Sequence, residues 1–242
     1  LEGHADATHA HGRVAHARLE AAAETIALAV GGGEVIWTPS ASAANALATT
    51  LATRAVTTHA SHPSITEVLP PATTFAPLRS YCVIPDARTR AAKTRGTPAV
   101  ALAEAFALAT ELARAEAGER RAACLAIRAD LARELAPFGV ADVSDAPTLA
   151  HVRCVRFVGL DARAVQLALA PAMSVSLGSA CRAASPEPSE VLLAMGLSRT
   201  KAREAVRFSW SHRSIVPSLR AIATALTRAR SGPLHDLTRP RA

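Results

Sequence analysis

The stretch Val175-Ser-Leu-Gly-Ser-Ala-Cys181-Arg-Ala-Ala-Ser-Pro-Glu-Pro-Ser189 is the most informative part of this sequence. Residues 173–177 have the apolar pattern of a strand, and residues 178–185 are mostly Gly, Ser and Ala, as is typical of a loop. Two prolines then precede a short helix, because proline fits the first turn of a helix. The pattern predicts that Cys181 lies on an open, mobile loop from which its thiol can reach a ligand and retreat.

Cys181 allows two interpretations from its residue type and neighbours alone. Arg182 is adjacent, and a positive environment lowers the pKa of a thiol and increases its reactive thiolate fraction. Free cysteine is, however, often a buried and inert small residue. Both interpretations stay open on these residues.

The segments around this stretch alternate between helical and strand-like patterns. The N-terminal part predicts a helix over 12–30 that ends at three glycines, a strand over 34–38, a helix over 43–51 and a strand over 55–58. Repetition of strand, turn and helix favours an α/β layer with parallel strands.

The remaining two thirds begin with a proline-rich stretch and return to regular patterns. Residues 70–98 contain five prolines, and their only strand candidate is 80–84. The later predicted elements are a helical region over 99–136 that Gly118 kinks or divides, a strand over 151–158, a helix from its Asp161 cap to 169, a strand over 205–210 and a helix over 217–230.

Composition excludes several classes of protein. Half of the 242 residues are hydrophobic, which is too apolar for a disordered chain. No apolar run approaches the length of a membrane span and no signal-peptide pattern is present, so we expect a cytoplasmic protein. The four cysteines include no CxxC pair, which argues against a zinc site and a dense disulfide framework.

Positive charge is concentrated at the C-terminal end. The formal net charge is +7, while residues 198–242 alone hold ten Lys or Arg and two acids. The region is either a solvated arginine-rich surface or a basic interaction module. Nucleic-acid binders usually add aromatic residues for stacking, and only Phe208 and Trp210 are available here, so we expect no nucleic-acid partner.

The C-terminal motifs resemble those of a known enzyme family. Residues 175–189, then Val-Leu-Leu-Ala-Met-Gly-Leu at 191–197 and Val-Arg-Phe-Ser at 206–209, are similar to the C-terminal half of cysteine desulfurases. These are pyridoxal-phosphate (PLP) enzymes of the class V aminotransferase group. The resemblance implies that Cys181 takes sulfur from L-cysteine as a persulfide and that Arg207 binds the substrate carboxylate, for which a guanidinium is well suited.

The N-terminal motifs extend the resemblance. His-Ala-His-Gly-Arg at 9–13 is similar to the family's HxxGR stretch, and residues 34–42 resemble its strand and phosphate-binding turn. This implies that Ser42 binds the cofactor phosphate, since a turn before a helix presents free N–H groups. The resemblance further implies that His62 stacks on the cofactor and moves protons, and that Thr97 reaches the cofactor phosphate of a neighbouring subunit.

The family implies a fold and an architecture. We expect an α/β protein with a reduced PLP-transferase (aspartate aminotransferase-like) fold, in which the large domain is truncated and the C-terminal small domain is α+β. Residues 1–98 would be the remnant of the cofactor-binding domain, with 70–98 as an irregular linker, and 99–242 the small domain. A homodimer, or a partner desulfurase or sulfur acceptor in iron–sulfur cluster assembly, is the expected partner, with no membrane and no metal.

The chain departs from the family in its middle. Only 35 positions separate His62 from Thr97, and the S-x-H-K segment whose lysine forms the Schiff base with PLP is missing. The chain's two lysines, Lys93 and Lys201, lie in other contexts. Two functions therefore remain: a PLP-dependent cysteine desulfurase, or a degenerate subunit or persulfide carrier acting with a partner chain. The loss of central strands also predicts an exposed apolar face that favours association with another chain.

Overall fold

The structure is a computed structural model that describes residues 4–38, 40–51, 98–145, 147–178, 187–220 and 223–226. The chain forms two compact units, Leu1–Ala117 and Gly118–Ala242. We expected the division at 98/99, whereas these units divide about twenty residues later, so that the helix following residue 98 packs within the first unit.

The first unit contains three helices in its described residues: α1 at Ala10–Val30, α2 at Ala41–Leu51 and α3 at Val100–Ala115. The predicted helices over 12–30 and 43–51 are confirmed, and each begins two residues earlier than expected. Small residues let α1 and α3 approach closely. A bidentate ion pair also joins the two helices, in which Arg18 donates two hydrogen bonds of 2.6 Å to the Glu104 carboxylate. The buried residues of this unit are Ala5, Ala15, Leu19, Ala22, Val100, Ala103 and Ala107.

The HxxGR-like motif builds the start of α1. The His9 side chain caps the helix by accepting a hydrogen bond from the Gly12 N–H at 3.1 Å. A Cβ at Gly12 would overlap the carbonyl oxygen of Ala7, so the approaching turn requires glycine at this position. Arg13 donates from Nη1 to the carbonyl of Thr8 at 2.6 Å. The motif therefore has a local structural role that can be read directly from its contacts.

The large apolar residues of α3 lie on its exposed side. Leu102, Phe106 and Leu112 share one face of the helix and are exposed at 72%, 58% and 43%. The face toward α1 is instead formed by Val100 and two alanines, Ala103 and Ala107. The outer surface of α3 is thus an apolar face without a partner in the part of the chain that the structure describes.

Residues 34–38 do not form the predicted strand. They follow Gly31, Gly32 and Gly33, all with positive φ angles between 94° and 117°. A short apolar run becomes a strand only when a neighbouring strand supplies hydrogen bonds, and none does so within the described residues. The strands predicted over 55–58 and 80–84 lie outside the described residues.

The second unit contains most of the remaining elements. Glu116 separates α3 from α4, so the helical region is divided near the predicted position, two residues before Gly118. The elements are α4 at Ala117–Leu135, a 3-10 turn at Ala136–Phe138, β1 at Val140–Asp142, β2 at Val152–Phe157, α5 at Ala162–Leu169, α6 at Glu190–Ala194, α7 at Arg199–Arg203 and β3 at Ala205–Ser209.

The predictions for the second unit are largely confirmed. The strands over 151–158 and 205–210 and the Asp161-capped helix are present, with Asp161 accepting from the Arg163 N–H at 2.8 Å. The strand expected over 173–177 is reduced to a single bridge at Ser176. Of the helix expected over 217–230, residues 223–226 are helical, whereas 217–219 are not.

The three strands form an antiparallel sheet in the order β1-β2-β3. The parallel strands that we expected belong to the N-terminal part of the chain, so this antiparallel sheet of the second unit does not test that expectation. One face of the sheet packs on α4 and α5 over a core that includes Val155, Phe157, Val206 and Phe208. The opposite face carries the alternate residues, among them Cys154 and Arg207, beside a smaller apolar cluster of α6 and α7.

Phe208 and Trp210 both serve this unit's structure. Phe208 is only 3% exposed, and the Trp210 indole donates to the carbonyl of Cys124 at 3.0 Å. Neither ring is therefore a free stacking platform for bases.

Candidate functional site

Arg207 lies at the centre of β3, where two neighbours fix its backbone. Its N–H donates to the Ser176 carbonyl at 2.7 Å, and its carbonyl accepts from the Ser176 N–H at 3.1 Å. On the other side it is the register partner of Cys154 in β2. This places Ser176 directly beside the arginine that the family resemblance assigns to the substrate carboxylate.

The Cys154–Arg207 pair is a close one. The N–H and C=O of Arg207 both point toward Ser176, and the Cys154 carbonyl accepts from Val143 on the far side of β2. The two residues therefore form a non-hydrogen-bonded pair, in which opposing Cα atoms are about 4.5 Å apart and side chains on one face are close. The thiol and the arginine stem are neighbours on this face.

The sheet contains two other arginines, and each has its own carboxylate. Arg153 donates two hydrogen bonds of 2.9 Å to the Asp142 carboxylate. The hydrogen bond from Arg153 holds the pKa of the Asp142 carboxyl below its usual value, against the effect of partial burial. Both partners in this pair are satisfied.

The second pair is more buried. Arg156 and Glu204 are 18% and 13% exposed and meet at 2.8 Å. The other Glu204 oxygen accepts from the Gly159 N–H at 2.9 Å, so this carboxylate is fully engaged. Neither acid is left to neutralise a third guanidinium.

Arg207 is that third guanidinium. Its Nε is buried and has no hydrogen-bond partner within the described structure. A buried N–H without an acceptor costs about 1–3 kcal/mol, which a native protein retains where a ligand supplies the acceptor. A carboxylate matches a guanidinium in charge and geometry. The site can therefore take an external carboxylate.

Sequence reasoning missed Cys154 as a neighbour of Arg207. Burial raises the pKa of the Cys154 thiol to about 11, although Arg207 acts in the opposite direction. The thiol is protonated at neutral pH and is a poor nucleophile. Because side chains along a strand alternate between its two faces, Cys154 lies on the face opposite to Val155. Only the register with β3 places Cys154 beside Arg207.

Ser42 is the other predicted site residue that the structure describes. It is exposed in the first turn of α2. Ser40, rather than Ser42, caps this helix, because the Ser40 Oγ accepts from the Ala43 N–H at 3.1 Å. The Thr38 hydroxyl donates to the Ser40 carbonyl at 3.1 Å and closes the turn. Ser42 is thus free of the capping role and available to solvent.

Cys181, His62 and Thr97 lie outside the described residues. Ser42 and Arg207 belong to different compact units. The described residues therefore define the candidate site only around Arg207, and the roles of Cys181, His62, Thr97 and Ser42 stay predictions.

The lysine chemistry of PLP does not fit the residues of this chain. The cofactor needs a lysine to form its Schiff base. Lys93 lies outside the described residues and follows Arg-Ala-Ala, while Lys201 is exposed on the five-residue helix α7. Neither lysine is preceded by Ser-x-His. In the described part of the chain, no group of three His, Cys, Asp or Glu residues could hold a metal ion, and no helix is long and apolar enough to cross a membrane.

Two solved structures share the fold. A NifS-like protein from Rickettsia africae ESF-5 superposes with a TM-score of 0.72 at 15% identity, over 95% of this chain and 92% of that chain. A second NifS-like protein gives a TM-score of 0.67 at 16% identity, over 95% and 91%. The fold is therefore the α/β fold of NifS-like proteins, and a solved protein of similar length has it.

The sequence comparison adds the family. The chain is 41% identical over 93 residues to a cysteine desulfurase of Frankia sp. (strain EuIK1), which is 35% of this chain and 22% of that relative. It thus spans about a fifth of the length of the curated relative that it matches. No family model matches the chain. The chain is therefore similar to a cysteine desulfurase over 93 residues of its sequence and to NifS-like proteins in its fold.

Proposed function

We propose that this chain is a subunit for sulfur transfer from L-cysteine that a partner chain completes. Arg207 binds the carboxylate of L-cysteine, and Cys181 receives the sulfur as a persulfide. The partner supplies PLP on its own lysine, since neither lysine of this chain stands in the required context. In the net reaction, L-cysteine and the Cys181 thiol give L-alanine and the Cys181 persulfide, so atoms and electrons balance without an added oxidant.

The unpartnered Nε of Arg207 is the observation that carries this proposal. The two acids of the sheet are engaged by Arg153 and Arg156, so the Arg207 charge has no carboxylate of its own there. A protein that only carries persulfide from another enzyme has no need of a carboxylate site. The unpartnered Nε therefore favours a subunit that binds the amino acid itself over a simple carrier.

The covalent chain supports the pairing of Cys181 with Arg207. Ser176 is bonded to Arg207 through both backbone groups, and Cys181 follows Ser176 by five residues. Five residues span at most about 18 Å even when fully extended. Within that limit the thiol can reach a ligand held by the guanidinium.

The outer face of α3 supports the requirement for a partner. Leu102 and Phe106 are mostly exposed, and Leu112 adds a third large apolar side chain at 43%. Large exposed apolar surfaces on soluble proteins mark interaction sites. We infer that the partner chain covers this surface.

A desulfurase whose own loop cysteine is replaced provides the decisive test, because it starts the reaction but cannot hold the persulfide. Mixed with this chain, PLP and L-cysteine, it should release alanine and add the mass of one sulfur atom to Cys181. C181S should abolish the added mass. The chain alone with PLP should release no alanine.

Arginine variants identify the binding step. R207A should lower the rate of persulfide formation by about tenfold to a hundredfold, as expected for loss of a charge-assisted carboxylate contact. R203A, which removes an exposed arginine on α7, is the matched control and should leave the rate unchanged. Sulfur arriving only from a desulfurase with its loop cysteine intact, at a rate insensitive to R207A, would instead identify a persulfide carrier.

A further inference from the structure

Cys154 occupies the position in the sheet where an internal counterion for Arg207 would stand. The two residues are register partners, and the backbone bonds of both point away from their shared gap. Side chains in such a pair lie on one face with Cβ atoms about 4.5–5.5 Å apart. An acidic side chain here would reach the guanidinium directly.

The surroundings of Cys154 are apolar. It packs against a cluster that includes Leu192, Leu193 and Leu197 from the α6 region, with Val143 on the β1 side. Asp142 acts electrostatically on the thiol, but this carboxylate is bound to Arg153. No carboxylate in the described sheet is free to approach Arg207 through Cys154.

We propose that Cys154 is a positioning residue of the carboxylate site, because a neutral side chain at this register position leaves the Arg207 guanidinium open to a ligand. The ligand class is the carboxylate of a small amino acid. This inference rests on the proposed function only in taking Arg207 as the carboxylate-binding group, and it needs neither PLP nor Cys181. Protonation of the buried thiol at neutral pH is consistent with it.

A matched pair of variants separates charge from shape at this position. C154N and C154D have the same size, and only the second places a carboxylate beside Arg207. We expect C154N and the smaller C154S to bind L-serine within about threefold of the wild type. C154D should bind it at least about tenfold more weakly, because the internal carboxylate then occupies the guanidinium.

L-serine is the probe because it keeps the amino-acid carboxylate and lacks the reactive thiol of L-cysteine. Binding is followed by NMR on the Arg207 Nε–H resonance, assigned by its loss in R207K. In the wild type this resonance should move on addition of L-serine and not on addition of ethanolamine, which has no carboxylate. In C154D it should already be shifted without ligand.

Each outcome decides the inference. Equal weakening in C154N and C154D, or undiminished binding in C154D, overturns it, because packing or another group then controls the site. A wild-type Nε–H that ignores L-serine overturns it as well. If C154D does not fold, C154E and C154Q form the second matched pair. Serine binding that follows the expected order, in a chain that never gains persulfide, refutes the proposed function and leaves this inference standing.

Discussion

Replacing Arg207 by methionine should stabilise the second unit while it abolishes carboxylate binding. The unpartnered, buried Nε costs about 1–3 kcal/mol, and methionine keeps the apolar stem without the unsatisfied group. Some of this gain is lost to imperfect packing, so we expect R207M to raise the free energy of unfolding by about 1–2 kcal/mol. For a unit of this size, that raises the melting temperature by roughly 3–5 °C per kcal/mol.

Arg156 provides the matched control on the neighbouring strand. It is also largely buried, but Glu204 pairs with it at 2.8 Å. R156M leaves that carboxylate without its cation and should lower the free energy of unfolding by about 2–4 kcal/mol. The two substitutions are chemically identical, so opposite signs can arise only from the presence or absence of a partner.

Urea unfolding of both variants measures these signs. A shift of the midpoint at constant slope reports a change in stability. L-serine should raise the midpoint of the wild type through binding linkage and should leave that of R207M unchanged. If R207M is destabilised as much as R156M, the guanidinium has a partner in solution, and the argument for an open carboxylate site is refuted.

The remaining predictions concern the first unit and the pH dependence of the sheet. G12A should lower the stability of the first unit by about 1–3 kcal/mol, since its methyl group would overlap the Ala7 carbonyl. G118A, with open space around its Cβ in α4, should instead stabilise by about 0.5–1 kcal/mol; thermal unfolding by circular dichroism compares the two. The lowered pKa of Asp142 means that its contribution to stability is present above the unfolded-state pKa and is lost as pH falls through the folded-state pKa. Because Asp142 is 44% exposed, this contribution is at most about 1 kcal/mol. Urea midpoints at pH 7 and at acid pH measure it, and the difference between the two midpoints should be smaller in D142N than in the wild type. If D142N leaves this difference unchanged, Asp142 is not the group responsible.

Local signals in the sequence predicted the elements that carry their own determinants. The helix after Asp161 has its cap, α1 ends at glycines, and β2 contains two valines and a phenylalanine, which favour strands, so all three could be recognised from neighbouring residues. The segment 34–38 was predicted wrongly as a strand. Whether it forms a strand depends on a partner strand far along the chain, and an apolar pattern does not identify that partner.

The candidate site likewise combines a residue that the sequence identifies with an environment that only the structure reveals. Family motifs pointed to Arg207, but its lack of a counterion follows from how the charges pair across the sheet. Arg153 finds Asp142 eleven residues away and Arg156 finds Glu204 forty-eight residues away, so the surplus of one guanidinium appears only once the register is known. The same register sets Cys154, rather than an acid, opposite that guanidinium.

The presence of Arg207 without the Schiff-base lysine segment bears on how the chain functions. The described elements around Arg207 are well packed, whereas the sequence contains no S-x-H-K segment. The buried, unpartnered Nε of Arg207 costs about 1–3 kcal/mol, which an apolar residue at this position would relieve. A bound carboxylate would offset the same cost, and for this reason we propose Arg207 as the carboxylate-binding group. Under the proposed function the cofactor is supplied by another polypeptide, and we propose the exposed apolar surface of α3 as the place where that polypeptide binds.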